Sequence, residues 1–213
     1  MTKFSCPSCG AETFFKSALS LFVVCSYCRS SLFKSDEELS VLGKVATLAE
    51  DNSPLQLRSE GQFNGNVFSV IGRVRWKWSD GFWNEWCLQL KGGKLGWLAE
   101  AQGEFLLTKE VPNTDSVISS DQWQIKKPIV LGQKSFFISD LKHAVVHTTE
   151  GELPFRAHPG DKRYSADLRP KAGSIFGSVE VDAQTPDVVR GYLGISTDLA
   201  TLKMTYLRSF DGW

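Results

Sequence analysis

The chain has 213 residues, with 24 Lys and Arg balanced by 24 Asp and Glu, so it has no broad attraction for a phosphate backbone or an anionic lipid surface. Hydrophobic content of 42% and aromatic content of 12% describe a packed globular protein. No apolar run approaches the ~20 residues that a membrane-spanning helix needs.

Two tight cysteine pairs open the chain: Cys6-Pro7-Ser8-Cys9 and Cys25-Ser26-Tyr27-Cys28, with fifteen residues between them. A Cys-x-x-Cys turn brings two sulfurs to one side of the backbone, and a second pair completes a tetrahedron. Four thiolates close the coordination sphere, which points to structural zinc and leaves no vertex for a substrate. An iron site of rubredoxin type and a redox dithiol compete with this reading, without other support in the sequence. Residues 1–34 are therefore expected to form a zinc ribbon, with Cys6, Cys9, Cys25 and Cys28 as ligands. Met1-Thr2-Lys3-Phe4 runs straight into the first ligand, which argues against a signal peptide. Together with the single spare thiol, Cys87, this leads us to expect a soluble, cytoplasmic protein. Cys87 itself reads as a small half-buried hydrophobe.

Residues 35–52 are expected to be a connector helix. Within 34–48, Ser35 and Glu38 form a capping-box pattern, and Leu39, Leu42, Val45, Ala46 and Leu48 recur near helical spacing. Pro54 ends any helix, and strand patterns follow. Residues 53–110 read as a first β lobe. Alternation in 70–78 and 82–90, with Arg73, Arg75 and Lys77 opposite the apolar face, predicts paired antiparallel strands. A three-residue turn, Ser79-Asp80-Gly81, would place Val74 opposite Trp86, Arg75 opposite Glu85 and Lys77 opposite Trp83. A two-residue Gly92-Gly93 turn would pair Leu90 with Leu95, Leu88 with Trp97 and Trp86 with Ala99. A third hairpin turns at Gln102-Gly103. Residues 111–128 read as a linker and 129–213 as a second β lobe, with strands in 135–139, 144–149, 164–168, 174–181 and 188–196. The fold class is mainly β: an N-terminal zinc ribbon, then antiparallel meanders that curl into small barrel-like lobes. Short echoes, such as Gly96-Trp97-Leu98-Ala99-Glu100 against Gly177-Ser178-Val179-Glu180, raise the idea of a duplicated unit.

Several of these stretches together resemble a known family. Val41-Leu42-Gly43-Lys44-Val45-Ala46, Ser53-Pro54-Leu55-Gln56-Leu57, Gly72-Arg73-Val74, Trp83-Asn84-Glu85-Trp86, Gly96-Trp97-Leu98-Ala99-Glu100, Gly151-Glu152-Leu153-Pro154-Phe155, Asp167-Leu168-Arg169 and Gly191-Tyr192 are similar to the bacterial domain-of-unknown-function family 4178. The resemblance implies a cytoplasmic accessory protein, with an N-terminal ribbon as in many members. It brings no catalytic set.

No hydrolytic triad, phosphate-cradling loop or dinucleotide fingerprint is present. His143 and His147 share a strand face but lack the Glu of a hydrolytic zinc motif. Glu85, Asp167 and Glu180 interrupt strand-like stretches and would serve as acid–base groups only if burial raised their pKa values. Asn84 either pins a loop or lines a pocket, and Trp78 and Trp83 at a hairpin end are candidate contact residues. The leading expectation is a non-enzymatic zinc-ribbon adaptor that binds another protein. The alternatives are a nucleic-acid-binding ribbon protein, and an enzyme or small-molecule binder with a pocket between the β lobes around Asn84, Glu85 and Asp167.

Overall fold

The computed structural model describes residues 2–35, 38–45, 51–112, 114 and 117–210. Its strands are β1 (Thr2–Ser5), β2 (Glu12–Phe15), β3 (Phe22–Val24), β4 (Ser30–Ser35), β5 (Glu38–Lys44), β6 (Glu60–Phe63), β7 (Asn66–Trp78), β8 (Gly81–Leu90), β9 (Leu95–Ala101), β10 (Glu104–Glu110), β11 (Pro128–Leu131), β12 (Lys134–Leu153), β13 (Lys162–Pro170), β14 (Ile175–Asp182) and β15 (Thr185–Thr197). Helical structure among the described residues is confined to single 3-10 turns at Lys91–Gly93 and Ser120–Gln122, and no helix is long and apolar enough to cross a membrane.

Strands β7 to β10 form one antiparallel meander and β12 to β15 another. The two meet along both edges, β10 on β15 and β7 on β12, so eight strands close into a ring with no free edge. The stretches expected as two lobes are thus two halves of one barrel. Each half also starts with a short strand that turns back onto its first long one: β6 on β7 across Asn64-Gly65, and β11 on β12 across Gly132-Gln133. All four turn residues have positive φ, as a two-residue primed turn requires. The element order therefore repeats, and β9 and β14, which carry the similar Gly-to-Glu runs, occupy equivalent places.

Strand β12 is the spine. Its first part pairs with β11 and β13, its middle with β7, and Glu152 and Leu153 at its end pair with Val23 and Phe22 of β3. Irregularities between Ile138 and Asp140 and between Val146 and Thr148 accompany these changes of partner, as expected of bulges that bend a strand. The β7–β12 seam closes tightly where Gly72 faces Gly151. A Cβ at Gly72 would overlap the Glu152 carbonyl oxygen, so only glycine allows the approach.

Three expectations need correction. The first is the helix over 34–48: residues 38–44 are strand β5, paired with β4 from Ser35 opposite Glu38 to Ser30 opposite Lys44. The Ser35 and Glu38 read as a capping box instead pair with each other across β4 and β5, and β5 covers the otherwise open edge of β4. Residues 36, 37 and 46–50 lie outside the described residues. The second concerns register. Strand β8 pairs with β7 across the two-residue turn Ser79-Asp80, placing Val74 opposite Glu85, Trp76 opposite Trp83 and Lys77 opposite Phe82. Strand β9 is likewise shifted by one: Leu88 faces Gly96 and Cys87 faces Trp97, across a three-residue turn. The predicted register assumed one buried face, but β8 is buried on both. Trp83, Glu85 and Cys87 point into the barrel. Trp86 and Leu88 pack outside it under Leu55, Leu202 and neighbours. The irregularity between Val70 and Gly72 restores even-to-even pairing lower down, with Val70 opposite Leu88. The third is the linker over 111–128, which is packed: Val117 and Trp123 are buried in the cluster around Ile138 and Leu168, and Trp123 stacks on Tyr164 at 5.3 Å. The third hairpin is as predicted, with Gln102 and Gly103 at positive φ between Ala101 and Glu104.

Candidate functional site

Two sites emerge. In the ribbon, each Cys-x-x-Cys turn is tightened by backbone bonds, Gly10 N–H to Cys6 and Arg29 N–H to Cys25. Positive φ at Gly10 and Arg29 carries the chain past each pair. The four sulfurs lie within 4.8 Å of one another, with Cys6 to Cys28 at 3.7 Å and Cys9 to Cys25 at 3.9 Å. These separations are far beyond a disulfide bond, and the cluster can hold a metal ion. The Ser30 hydroxyl, 3.3 Å from Cys28 Sγ, and the Ser30 backbone pull the Cys28 thiol down to about 6. Burial and the neighbouring sulfurs hold Cys6 and Cys9 above the ordinary thiol value, so a metal would displace protons from part of the set. Phe15, Val23 and Leu32 pack beneath the cysteines. The buried Glu152 carboxylate at the end of β12 accepts the N–H groups of Lys16 (2.8 Å) and Ser17 (3.2 Å), tying the ribbon to the barrel.

The second site is the barrel interior. All eight ring strands contribute to a cavity of about 220 Å³. Its apolar wall includes Trp78, Trp83, Trp97, Phe155 and Phe176, and its polar wall Glu85, Lys142, Arg163, Ser165, Asp167, Ser178, Glu180 and Tyr192. The polar side chains arise from simple alternation: Arg163, Ser165 and Asp167 are every second residue of β13, and Ser178 and Glu180 of β14.

Arg163 is the electrostatic centre. Its guanidinium stacks over Trp76 (4.2 Å) and Phe155 (4.8 Å) and donates to Glu180 (2.7 Å), Asp182 (2.9 Å) and Glu85 (3.3 Å). Glu85 also accepts the indole N–H groups of Trp76 (2.8 Å) and Trp83 (3.1 Å). Burial opposes charge on Arg163, but the three carboxylates around it outweigh burial and leave its pKa above the ordinary arginine value. Glu180 experiences the converse. Burial, reinforced by Glu85 and Asp182, pushes its carboxyl up to about 7 although Arg163 pulls it down. Farther along the wall, Lys142 bridges Asp140 and Asp167 at 2.5 Å each.

Of the residues singled out from sequence, Trp78, Trp83, Glu85 and Asp167 all line this cavity. Trp78 and Trp83 are half-buried, 5.2 Å apart between ring centroids, and form part of its wall. Asn84 does not belong with them, because its side chain lies on the other face of β8. There it accepts from Arg73 (2.7 Å) and donates to Glu100 (3.1 Å). Glu100 also accepts from Ser53 and Trp86, and Arg73 is paired with Asp51 and Glu150. This network pins residues 51–55 against the barrel, so Asn84 plays a structural part. His143 stacks on Tyr164 and His147 lies against Phe82, both exposed, while His158 bonds Ser31 at 2.9 Å. Cys87 is fully buried, and burial pushes its thiol far up, which suits a packing residue. Arg163, Trp97, Phe155 and the hydroxyls of Ser165, Ser178 and Tyr192 were missed. The signal for them was the polar alternation of β13 beside that of β14, which only a barrel interior explains.

No curated protein and no solved structure matches the chain. The profile described as Domain of unknown function (DUF4178) matches residues 56–193, from just ahead of β6 into β15 and so across nearly the whole barrel. With well over half of its length matched, the chain belongs to the DUF4178 family.

Proposed function

We propose that this protein binds a small molecule inside its barrel without transforming it, and that the ribbon is a zinc-held structural attachment. The observation that supports binding is the cavity at the centre of the ring, with an aromatic wall and convergent polar groups. Most charged groups there are paired: Glu85 and Glu180 on Arg163, whose Nη2 keeps no hydrogen-bond partner among the described residues, and Asp167 on Lys142. Ser165 lies across from Glu180 and Ser178 across from Asp167, but among the described residues no hydroxyl on this wall is hydrogen-bonded to a carboxylate or a histidine. Zinc suits the ribbon because four thiolates at a bond length of about 2.3 Å in a tetrahedron lie roughly 3.8 Å apart, close to the two sulfur separations seen.

The test is a screen of ring-containing fragments for thermal stabilisation of the zinc-loaded chain. At a hundredfold excess over Kd, stabilisation is about 2.7 kcal/mol, a rise of several degrees in Tm. Substituting Ala99, which lines the cavity, by Leu should abolish the response. Absence of any stabilising fragment, or the same response in Ala99→Leu, would overturn the reading.

A protein-binding adaptor is the second reading, favoured by exposed apolar side chains on the ribbon: Tyr27 between two ligands, with Phe14, Leu19 and Leu21. Changing Tyr27 and Leu19 to Ser should then release a co-purifying protein without altering fragment binding. Nucleic-acid binding is less supported, since three of the four ribbon cations are engaged locally: Lys3 pairs with Glu12, Arg29 donates to the Val45 carbonyl, and Lys34 lies near the rings of Phe4 and Phe15.

A further inference from the structure

Given a binding barrel, the cavity wall also narrows the chemistry of its occupant. Among residues lining the cavity, Glu85, Asp167 and Glu180 are balanced by Lys142, Arg163 and Arg169. Five of these are already paired, and Arg169 lies over the Phe176 ring at 4.3 Å. An ion entering this space would shed its water and find the deep counter-charges occupied, which disfavours either sign.

Arg169 is exposed and keeps a guanidinium without an ion pair among the described residues; away from it, what remains open on the wall is neutral. The hydroxyls of Ser165, Ser178 and Tyr192 have no hydrogen-bond partner among the described residues, and all three residues line the cavity. The strand register gathers them: Tyr192 of β15 lies opposite Ser178 of β14, and Ser165 of β13 opposite Glu180 of β14. A hydroxyl both donates and accepts, so the cluster matches a group that presents a carbonyl oxygen and an N–H side by side. The volume limits the rest of the molecule. An apolar cavity of about 150 Å³ accommodates benzene, so about 220 Å³ takes one substituted ring rather than a fused polycycle.

We propose that the barrel binds an uncharged, single-ring molecule carrying a carboxamide or lactam edge, its ring on the tryptophan and phenylalanine wall and its polar edge on Ser165, Ser178 and Tyr192. This assignment rests on the binding reading above, and one probe series separates the two. Toluene, benzamide, benzoate and benzylamine are titrated into the isotope-labelled, zinc-loaded chain, followed through the indole N–H signals of Trp83 and Trp97. Benzamide should bind about tenfold more tightly than toluene, the effect of two neutral hydrogen bonds, and more tightly than either ion. Ser178→Ala and Tyr192→Phe, each removing one hydroxyl with little change in shape, should reduce that preference while toluene still binds. Equal binding of toluene and benzamide, or a preference for benzoate or benzylamine, overturns the assignment and leaves the binding barrel standing. Failure of all four probes to perturb either indole overturns both.

Discussion

Replacing Glu180 by Gln tests whether the carboxylate cluster is as crowded as the geometry indicates. A buried carboxyl moved from the ordinary 4.5 to about 7 holds its proton in the folded state where the unfolded chain has lost it. The native protein therefore loses stability as pH rises from about 4.5 through 7, and the full penalty is present above about pH 8. At 1.36 kcal/mol per pKa unit the penalty is on the order of 3 kcal/mol, of which roughly 2 to 3 kcal/mol develops between pH 5 and pH 8. Gln mimics the protonated acid and does not titrate. The assay is denaturant unfolding of both chains at several pH values. Subtraction removes what they share, including any loss of metal from the cysteine cluster in acid. The variant should match the native chain near pH 5 and exceed it in stability by roughly 2 to 3 kcal/mol at pH 8. A difference that does not change with pH would refute the reasoning. So would a variant that becomes less stable than the native chain at high pH, since Arg163 would then be more than repaying the burial of the Glu180 charge.

Three further outcomes follow from particular contacts. Cys25→Ser should remove bound zinc, one ion per chain by elemental analysis in the native protein, and raise amide exchange in residues 2–35 while β7 to β10 stay protected. Gly72→Ala should weaken the seam between the barrel halves by more than about 2 kcal/mol in denaturant unfolding, because the new methyl overlaps backbone that cannot move alone. Glu152→Ala leaves the Lys16 and Ser17 N–H groups without their acceptor, so about 2 to 4 kcal/mol of local stability should be lost. Amide exchange should place that loss at the ribbon–barrel joint rather than in β8 and β9.

The cysteine cluster was legible because its information is local: four cysteines at fixed spacing need no knowledge of the rest of the fold. The strands were legible for a similar reason, from alternation and turn residues. Register was not, because the argument that even positions face even positions holds only when one face of the sheet is buried. Trp83, Glu85 and Cys87 face the barrel while Trp86 and Leu88 face the strap formed by residues 55–57 and 199–207, so both parities look apolar. The helix expected over 34–48 failed at the same level. Leu39 and Leu42 do alternate between two clusters, but as residues of a strand at a sheet edge. Glu85 and Asp167 were identifiable as intruders in apolar runs. That they and Glu180 line one chamber depends on β8, β13 and β14 belonging to a single ring, which no local pattern records.

The cavity is written into the sequence as short side chains at inward positions, which bears on why it persists. A barrel of eight strands has an interior just wide enough for side chains to fill, and large aliphatic residues at the inward places would close it. Here the inward positions of β9 after Trp97 are Ala99 and Ala101, and Thr108, Ser165 and Ser178 line the same cavity. Large side chains do occur on the same wall: most are aromatic or held in the Arg163 and Lys142 ion pairs, and Leu106, Leu168 and Arg169 complete it. If the space were a packing defect, filling it would be a gain without a loss. Ala99→Leu buries three more carbons, worth about 2 kcal/mol, less about 0.5 to 1 kcal/mol of side-chain entropy. The variant should unfold about 1 to 2 kcal/mol later and bind no fragment, a trade of function for stability. A variant that is destabilised would mean that the walls are rigidly set around the space. One that is stabilised yet still binds fragments would mean that the binding site lies elsewhere.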